Sequence, residues 1–326
     1  MENVTLKIES TIKNIRRTAA EETVIVAFSG GLDSTVTLFL AKEALGKKKV
    51  IAAHVDFGLF TYHKVYQNVK TICDEIGVPL QIISGVSEQR SIMKGGPDCN
   101  LCTRKVKLGL IRAKFNNRLI LTGSNQSDSW GQYGIMFVDG FYAPLFHYSK
   151  KDIENIATYL NLKVEHIGEN VYREGCKLKH LLKPLISMTY HGQAVSLANE
   201  ILLQQINKLN LTTSIANVKI IGPLSRNIGL INVFPIPNCQ HRNVIIKKIS
   251  SIAEIDDCLI VDRPLELTIK ANRGQFNNLR SRYWLERGRL QPEFAAPLKF
   301  KWLLTTNRRL QTFQVVAFNP AGTPCL

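Results

Sequence analysis

At 326 residues, 45% of them hydrophobic and 21% charged, the chain can bury a sizeable core and is not a disordered polymer. No apolar run approaches the ~20 residues of a membrane span, and the opening MENVTLKIES lacks the basic and apolar stretches of an export signal, so a cytoplasmic protein without a membrane partner is expected. The 42 Lys and Arg outnumber the 26 Asp and Glu, a net charge of +16 that suits a polyanionic partner, most simply nucleic acid.

The first half alternates short β-branched runs with helical patterns. Residues 24–28 (VIVAF), 50–55 (VIAAHV), 79–84 (PLQIIS) and 119–122 (LILT) are predicted strands. Helices are predicted over 34–45, about 62–76, 103 to about 115, 149–160 behind a Ser149 N-cap, and 193–206. Strands separated by helices predict an α/β fold with a parallel, doubly wound sheet, whose ligands bind beyond the C-terminal strand ends. From about Leu209 the texture changes to strand-like pieces, SIANVKII, INVFPIP, NVIIKKI, CLIVD and LELTIKA, broken by Gly, Pro and Asn. Residues 1–208 and 209–326 are therefore read as two domains, the second smaller and mainly β or α+β. From residue 263 onward 11 Lys and Arg stand against 3 Glu, half of the whole excess of positive charge, so the second domain is the expected RNA-binding part.

Six residues between the first strand and first helix carry the most chemistry: Ser29, Gly30, Gly31, Leu32, Asp33 and Ser34. Two glycines allow a tight turn and let backbone N–H groups approach an anion. The helix start adds unpaired N–H donors and the positive end of a dipole. Ser29 and Ser34 can donate to phosphate oxygens. Asp33 would repel a bare phosphate, so its presence suggests a Mg²⁺ ion bridging carboxylate and phosphate. The loop lacks the G-x-x-x-x-G-K-[ST] pattern of the GTPase type.

SGGLDS resembles the SGGxDS pyrophosphate-binding signature of the PP-loop (N-type) ATP pyrophosphatases. HVDFGL at 54–59 resembles that superfamily's second motif, where a strand end holds adenine. The resemblance implies an adenine nucleotide α-hydrolase-like fold, with ATP cleaved between its α and β phosphates and a substrate oxygen adenylated. ATP would lie against Ser29, Gly30, Gly31, Asp33, Ser34, His54, Val55 and Asp56.

Cys99 and Cys102 form a C-x-x-C at the entrance to a basic helix. Thiolates at that spacing can ligate one metal centre or form a redox pair. Cys176 follows 74 residues after Cys102, in YREGCK, also among positive charges. Three cysteines cannot by themselves close a tetrahedral zinc site, but they can hold a [4Fe–4S] cluster with one iron left open. The combination resembles the tRNA 2-thiocytidine and 2-thiouridine synthetases, in which a C-x-x-C and a distal Cys hold such a cluster. It also resembles the sulfur insertase of the nickel-pincer cofactor, in which a downstream Cys can serve as sulfur donor. What this implies is an ATP-dependent sulfur transferase acting on tRNA, with Cys99, Cys102 and Cys176 as cluster ligands or Cys176 as a persulfide carrier. An upstream sulfide or persulfide donor and a homodimer belong to the same expectation. The alternatives are sulfur insertion into a small cofactor precursor, or another PP-loop ligation that amidates its substrate.

At residues 122–128 (TGSNQSD) the resembled families show TGHNxDD or GTNxDD; only Asp128 matches the acidic pair. Asp128 is the expected substrate or Mg²⁺ contact, and with Asp33 and Cys176 completes the catalytic set. Cys73, between Ile72 and Ile76, reads as a buried small hydrophobe. Cys239, His241 and Cys258 stay open as a metal half-site. The run 273–289 interleaves Phe276, Tyr283 and Trp284 with arginines, which suits either unstacked bases and phosphates or a solvated cationic face with its aromatics inward.

Overall fold

The computed structural model describes residues 2–171 and 174–320; Tyr172 and Arg173 of the YREGCK segment, and Cys325, lie outside the described residues. The chain divides into two compact units. The first takes Met1–Gly58, His63–Val86 and Cys102–Glu165, and the second takes Leu59–Tyr62, Ser87–Leu101 and His166–Leu326.

In the first unit six strands form one sheet: β1 (Val24–Ala27), β2 (Val50–Asp56), β3 (Leu80–Ser84), β4 (Ile120–Leu121), β5 (Phe137–Val138) and β6 (Phe141–Tyr142). Their order is β3-β2-β1-β4-β6-β5. Every neighbouring pair is parallel except β5 with β6. Val24, Ile25 and Val26 of β1 are all buried, the continuous apolar reading of a strand covered on both faces. Helices α1 (Glu2–Ala19), α2 (Leu32–Leu45) and α3 (His63–Ile76) flank the sheet. Buried Val36, Leu38, Leu40, Ala41 and Ala44 surround most of α2, as suits a helix lying between α1 and the strands. Gly46 stops it, with φ of +81° and its N–H bonded to Lys42 O at 2.8 Å. The predicted cap at Ser149 is a full capping box with Asp152, opening the helix Lys150–Tyr159. Lys7 of α1 pairs with the same Asp152.

The winding reverses at β1. From β1 the chain steps to β2 and β3 on one side, and β4 later pairs on the other. The C-terminal ends of β1 and β4 are thus the switch point, where connections leave toward opposite faces and open a crevice. Among the described residues no helix is long and apolar enough to cross a membrane.

The second unit is α+β. One small sheet has the order β7-β8-β9, from β7 (Ile215–Ile221), β8 (Ile228–Phe234) and β9 (Asp257–Ile260). The other has the order β11-β10-β12, from β10 (Leu265–Ala271), β11 (Leu298–Leu304) and β12 (Phe313–Pro320). Its core includes Leu182, Leu230, Val261, Leu267, Ile269 and Phe313. The helix Gln193–Lys208 packs on β7, where Asn199 bonds both the N–H and the C=O of Val218. NVIIKKI, expected to be strand-like, lies instead in the helix Cys239–Ser250. Its buried residues, Ile245 and Ile249, are four apart, which is a helical period, and Asn238 caps the start through the His241 N–H.

Candidate active site

Glycine shapes the loop between β1 and α2. Gly30 has φ of +78°, and a Cβ there would meet Val69 Cγ2 at 2.8 Å, so conformation and space both require glycine. Gly31 caps α2 in extended backbone without a side-chain bond. The flanking hydroxyls close the loop on itself: Ser29 Oγ and Ser34 Oγ are 3.0 Å apart, and Ser34 Oγ donates to Gly31 O at 2.9 Å. The Gly31 N–H reaches Ser29 Oγ at 3.3 Å. A helix of 14 residues therefore begins at a polar loop of hydroxyls and backbone, which presents the positive end of its dipole.

Asp33 is the centre of this arrangement. Its Oδ2 accepts from Asn125 Nδ2 at 3.0 Å and pairs with the Lys150 ammonium. Its Oδ1 is buried and without a hydrogen-bond partner. Gly123, just past β4, brings that strand end against the start of α2: a Cβ there would meet Ser34 N and the Asp33 carbonyl carbon at 2.9 Å. Neither Asn125 nor Lys150 was singled out by sequence reasoning. Asn125 stands in TGSNQSD and Lys150 just after the Ser149 cap, and their convergence on residue 33 has no local signal.

Two further buried polar atoms, on β2 and just past β4, the strands either side of β1, lack partners. His54 Nδ1 donates to Phe28 O at 3.0 Å, which leaves Nε2 as a bare acceptor; Thr122 Oγ1 is likewise unpaired. His54 is pushed below its ordinary range by burial, only partly countered by the Phe28 bond, so the ring is neutral at pH 7. Val55 is buried beside it, and Asp56 ends β2 by accepting the Gly58 N–H at 3.2 Å. The start of α2, β2 and the residue after β4 thus each carry an unsatisfied buried polar atom, and such atoms in a folded interior take water, an ion or a ligand.

Asp128 is placed differently from Asp33. Oδ1 accepts the N–H groups of Trp130 and Gly131 at 3.0 and 3.2 Å as an N-cap. Oδ2 accepts the Asn125 N–H at 3.0 Å. Ser127 donates through both N–H and Oγ to Asn125 Oδ1, at 3.0 and 2.6 Å. The SNQSD segment is a built support for the Asn125 amide, and through it for Asp33.

The cysteines are divided between the two units, Cys102 in the first and Cys99 and Cys176 in the second. Cys99 opens a helical turn and accepts from Arg289 Nη2 at 3.3 Å. Cys102 is buried at the start of the π-helical stretch Cys102–Leu108. Cys176 receives Gln89 Nε2 at 3.6 Å. Among the described residues no three His, Cys, Asp or Glu side chains are grouped to hold a metal ion, so the [4Fe–4S] set implied by the resemblance and the half-site of Cys239, His241 and Cys258 are without structural support. Cys73 is buried as expected, its thiol pushed up to about 12 by desolvation.

A buried charge network anchors the backbone before Cys176. Glu169 Oε1 accepts the Gly175 N–H at 2.6 Å and the Lys179 ammonium at 2.7 Å. Glu169 Oε2 accepts Tyr62 OH at 3.1 Å and pairs with His180 Nε2. Lys219 donates to His180 Nδ1 at 2.7 Å and pairs with Glu293. A ring accepting an ammonium proton at Nδ1 is neutral with its proton on Nε2, and burial, reinforced by Lys219, lowers His180 to about 4. Two carboxylates and two ammonium groups then balance. Burial works against the charge on Glu169, and the His180 and Lys179 contacts outweigh it, leaving its carboxyl below the usual range.

A family profile described as a PP-loop domain matches residues 3–166. The NH(3)-dependent NAD(+) synthetase of Thermococcus sibiricus is 27% identical over 160 residues, 45% of this chain and 60% of that one. The glutamine-hydrolyzing GMP synthase of Aquifex aeolicus is 35% identical over 91 residues, 28% of this chain and 18% of that one. Among solved structures, the NH3-dependent NAD synthetase of Campylobacter jejuni in complex with nitrate ion shares 22% identity. It has a TM-score of 0.40 and covers 49% of this chain and 74% of its own. The chain spans less than two thirds of the curated relatives it matches first. With SGGLDS at the switch point of a parallel sheet and the profile matched across that sheet, the chain belongs to the PP-loop ATP pyrophosphatase family.

Proposed function

We propose that the chain is an ATP-dependent adenylating enzyme, forming AMP and pyrophosphate, that replaces a carbonyl oxygen of its substrate with sulfur. The observation that carries the first part is the Asp33 carboxylate, one oxygen held by Asn125 and Lys150 and the other buried without a partner. Hard divalent cations take such oxygens, so Asp33 fits Mg²⁺, which when bound would offset phosphate charge. The backbone of residues 29–34 and the start of α2 hold the phosphates, and half-exposed Lys150 adds a mobile positive charge beside them. The substrate's carbonyl oxygen attacks the α phosphorus, the bond to the β-phosphate oxygen breaks, and pyrophosphate leaves. A sulfur nucleophile then attacks the activated carbon, and AMP departs with the former carbonyl oxygen.

Cys176 is the sulfur carrier in this reading. An upstream persulfide donor passes its outer sulfur to the Cys176 thiolate and leaves as a free thiolate, and the terminal sulfur of the Cys176 persulfide attacks the adenylated carbon. A second thiol then attacks Cys176 Sγ; the S–S bond breaks, its electron pair stays on the substrate's sulfur as C=S, and Cys176 ends in a disulfide. The support is local: Gly175 is pinned by Glu169, and the thiol receives Gln89. tRNA is the substrate class favoured by the +16 charge, in the cytoplasm. Asp128 acts by positioning Asn125.

The curated relatives favour a second reading, ammonia in place of sulfur as the second nucleophile. Cys176→Ser separates the two. Sulfur transfer predicts AMP formation with loss of thiolated product, whereas amidation predicts an unchanged product.

A further inference from the structure

The basic run 273–289 is divided by the fold into an inner and an outer set. Phe276 and Trp302 face inward around Arg282, whose guanidinium carbon lies 5.7 and 4.9 Å from their ring centres, and Trp302 Nε1 donates to Glu286 at 2.6 Å. Tyr283 and Trp284, by contrast, are 61% and 58% exposed, with Leu279 at 73% beside them. Tyrosine and tryptophan seldom face water together without a partner. Arg280 stands about one turn before them and Arg287 about one turn after, both exposed, with Arg273 exposed just upstream. The edge of the Trp284 ring lies over the Gly288 backbone, where a Cβ would meet its Cε3 at 2.9 Å.

We infer that this face of the second unit, formed by Tyr283 and Trp284 between Arg280 and Arg287, binds single-stranded RNA. The two rings supply stacking platforms for unpaired bases, and the arginines take the flanking phosphates. Charge complementarity selects nucleic acid over protein. The segment from residue 263 carries 11 Lys and Arg against 3 Glu, and of those acids Glu293 is buried and Glu286 is engaged by Trp302. Adjacent exposed rings select unstacked bases over duplex, whose bases are covered. The inference concerns binding alone and stands whichever nucleophile follows adenylation.

The test is fluorescence anisotropy of a labelled oligouridylate with the full chain, at two salt concentrations. Tyr283→Ala and Trp284→Ala should each weaken binding about 5-fold or more. Arg280→Ala with Arg287→Ala should weaken it and lower the salt slope by about 1. Lys47→Ala with Lys48→Ala, a pair on the first unit, should bind as the wild type does, and so should Asp33→Asn, which separates RNA binding from ATP chemistry. Circular dichroism of the aromatic variants checks that they fold, and the arginine pair provides an independent reading. The inference is overturned by absence of binding, by equal loss in the lysine pair, or by duplex RNA competing as well as single strands. It is also overturned if Trp284→Ala abolishes a dimer seen by sedimentation, which would make the face a contact between copies of the chain.

Discussion

Asn125 Nδ2 stands 3.0 Å from Asp33 Oδ2 across 92 residues of sequence. That bond joins the end of β4 to the start of α2, while the other Asp33 oxygen is buried and unpartnered. Asn125→Ala is expected to lower kcat/KM for ATP by roughly 10- to 100-fold, the loss of one hydrogen bond to a charged group. Lys150→Ala should mainly raise KM, because its half-exposed ammonium contributes charge rather than fixed geometry. Steady-state kinetics that left both variants at wild-type values would remove Asp33 from the centre of the site.

Gly30→Ala should destabilise the protein by about 1–3 kcal/mol and weaken nucleotide binding together. The alanine would sit at φ of +78° with its methyl 2.8 Å from Val69 Cγ2. Trimming Val69 to Ala in the same chain relieves the clash but not the backbone conformation, so rescue should be partial. Urea unfolding of the two variants measures both parts.

The network around His180 makes stability pH-dependent. The folded state holds His180 neutral with a value near 4, below the ordinary 6.5, so unfolding takes up a proton between those limits. Stability is therefore full above about pH 6.5 and falls as pH drops toward 4. Glu169 and Glu293, both held below the ordinary carboxylate range once the cations offset their burial, extend the loss to lower pH. His180→Gln should flatten the slope between pH 6.5 and 4 in denaturant midpoints. An unchanged slope would show that the ring does not carry it.

Thiol reactivity should follow surroundings rather than spacing. Cys73 is buried with a raised value and should resist alkylation in the folded protein. Cys176, only part-buried, should react faster. Glu169→Gln should change the Cys176 rate, because it alters the acceptor of the Gly175 N–H. With Cys176 as the sulfur carrier of the proposed function, anaerobic purification should yield far less than the about four irons per chain that a three-cysteine cluster requires. Four irons lost on Cys99→Ala would instead restore the cluster.

Local chemistry was legible in the sequence wherever it was sufficient. VIVAF, VIAAHV and PLQIIS each became a strand within two residues, because β-branched runs bounded by polar turns leave little choice. SGGLDS located the loop because glycine and a helix start are both local features. Three things were not legible. The helix Glu2–Ala19 keeps its buried Ile8, Ile15 and Ala19 at helical spacing, but sparsely within a mostly polar stretch that sequence reasoning passed over. NVIIKKI has strand composition but a helical burial period. The partners of Asp33 lie 92 and 117 residues away, brought in by sheet order and the Ser149 cap. Asp128 shows the converse: an acidic residue at a motif position whose oxygens serve backbone N–H groups.

The central claim is adenylation at the Asp33 loop, and the most direct measurement is the identity of the nucleotide released. Wild type and Asp33→Asn would be incubated with α-labelled ATP, Mg²⁺ and bulk tRNA or a small-molecule extract, and the products separated. The account predicts AMP well in excess of ADP for the wild type, and loss of that AMP in the variant. Labelled ADP as the main product, or AMP formation indifferent to Asp33→Asn, would contradict it.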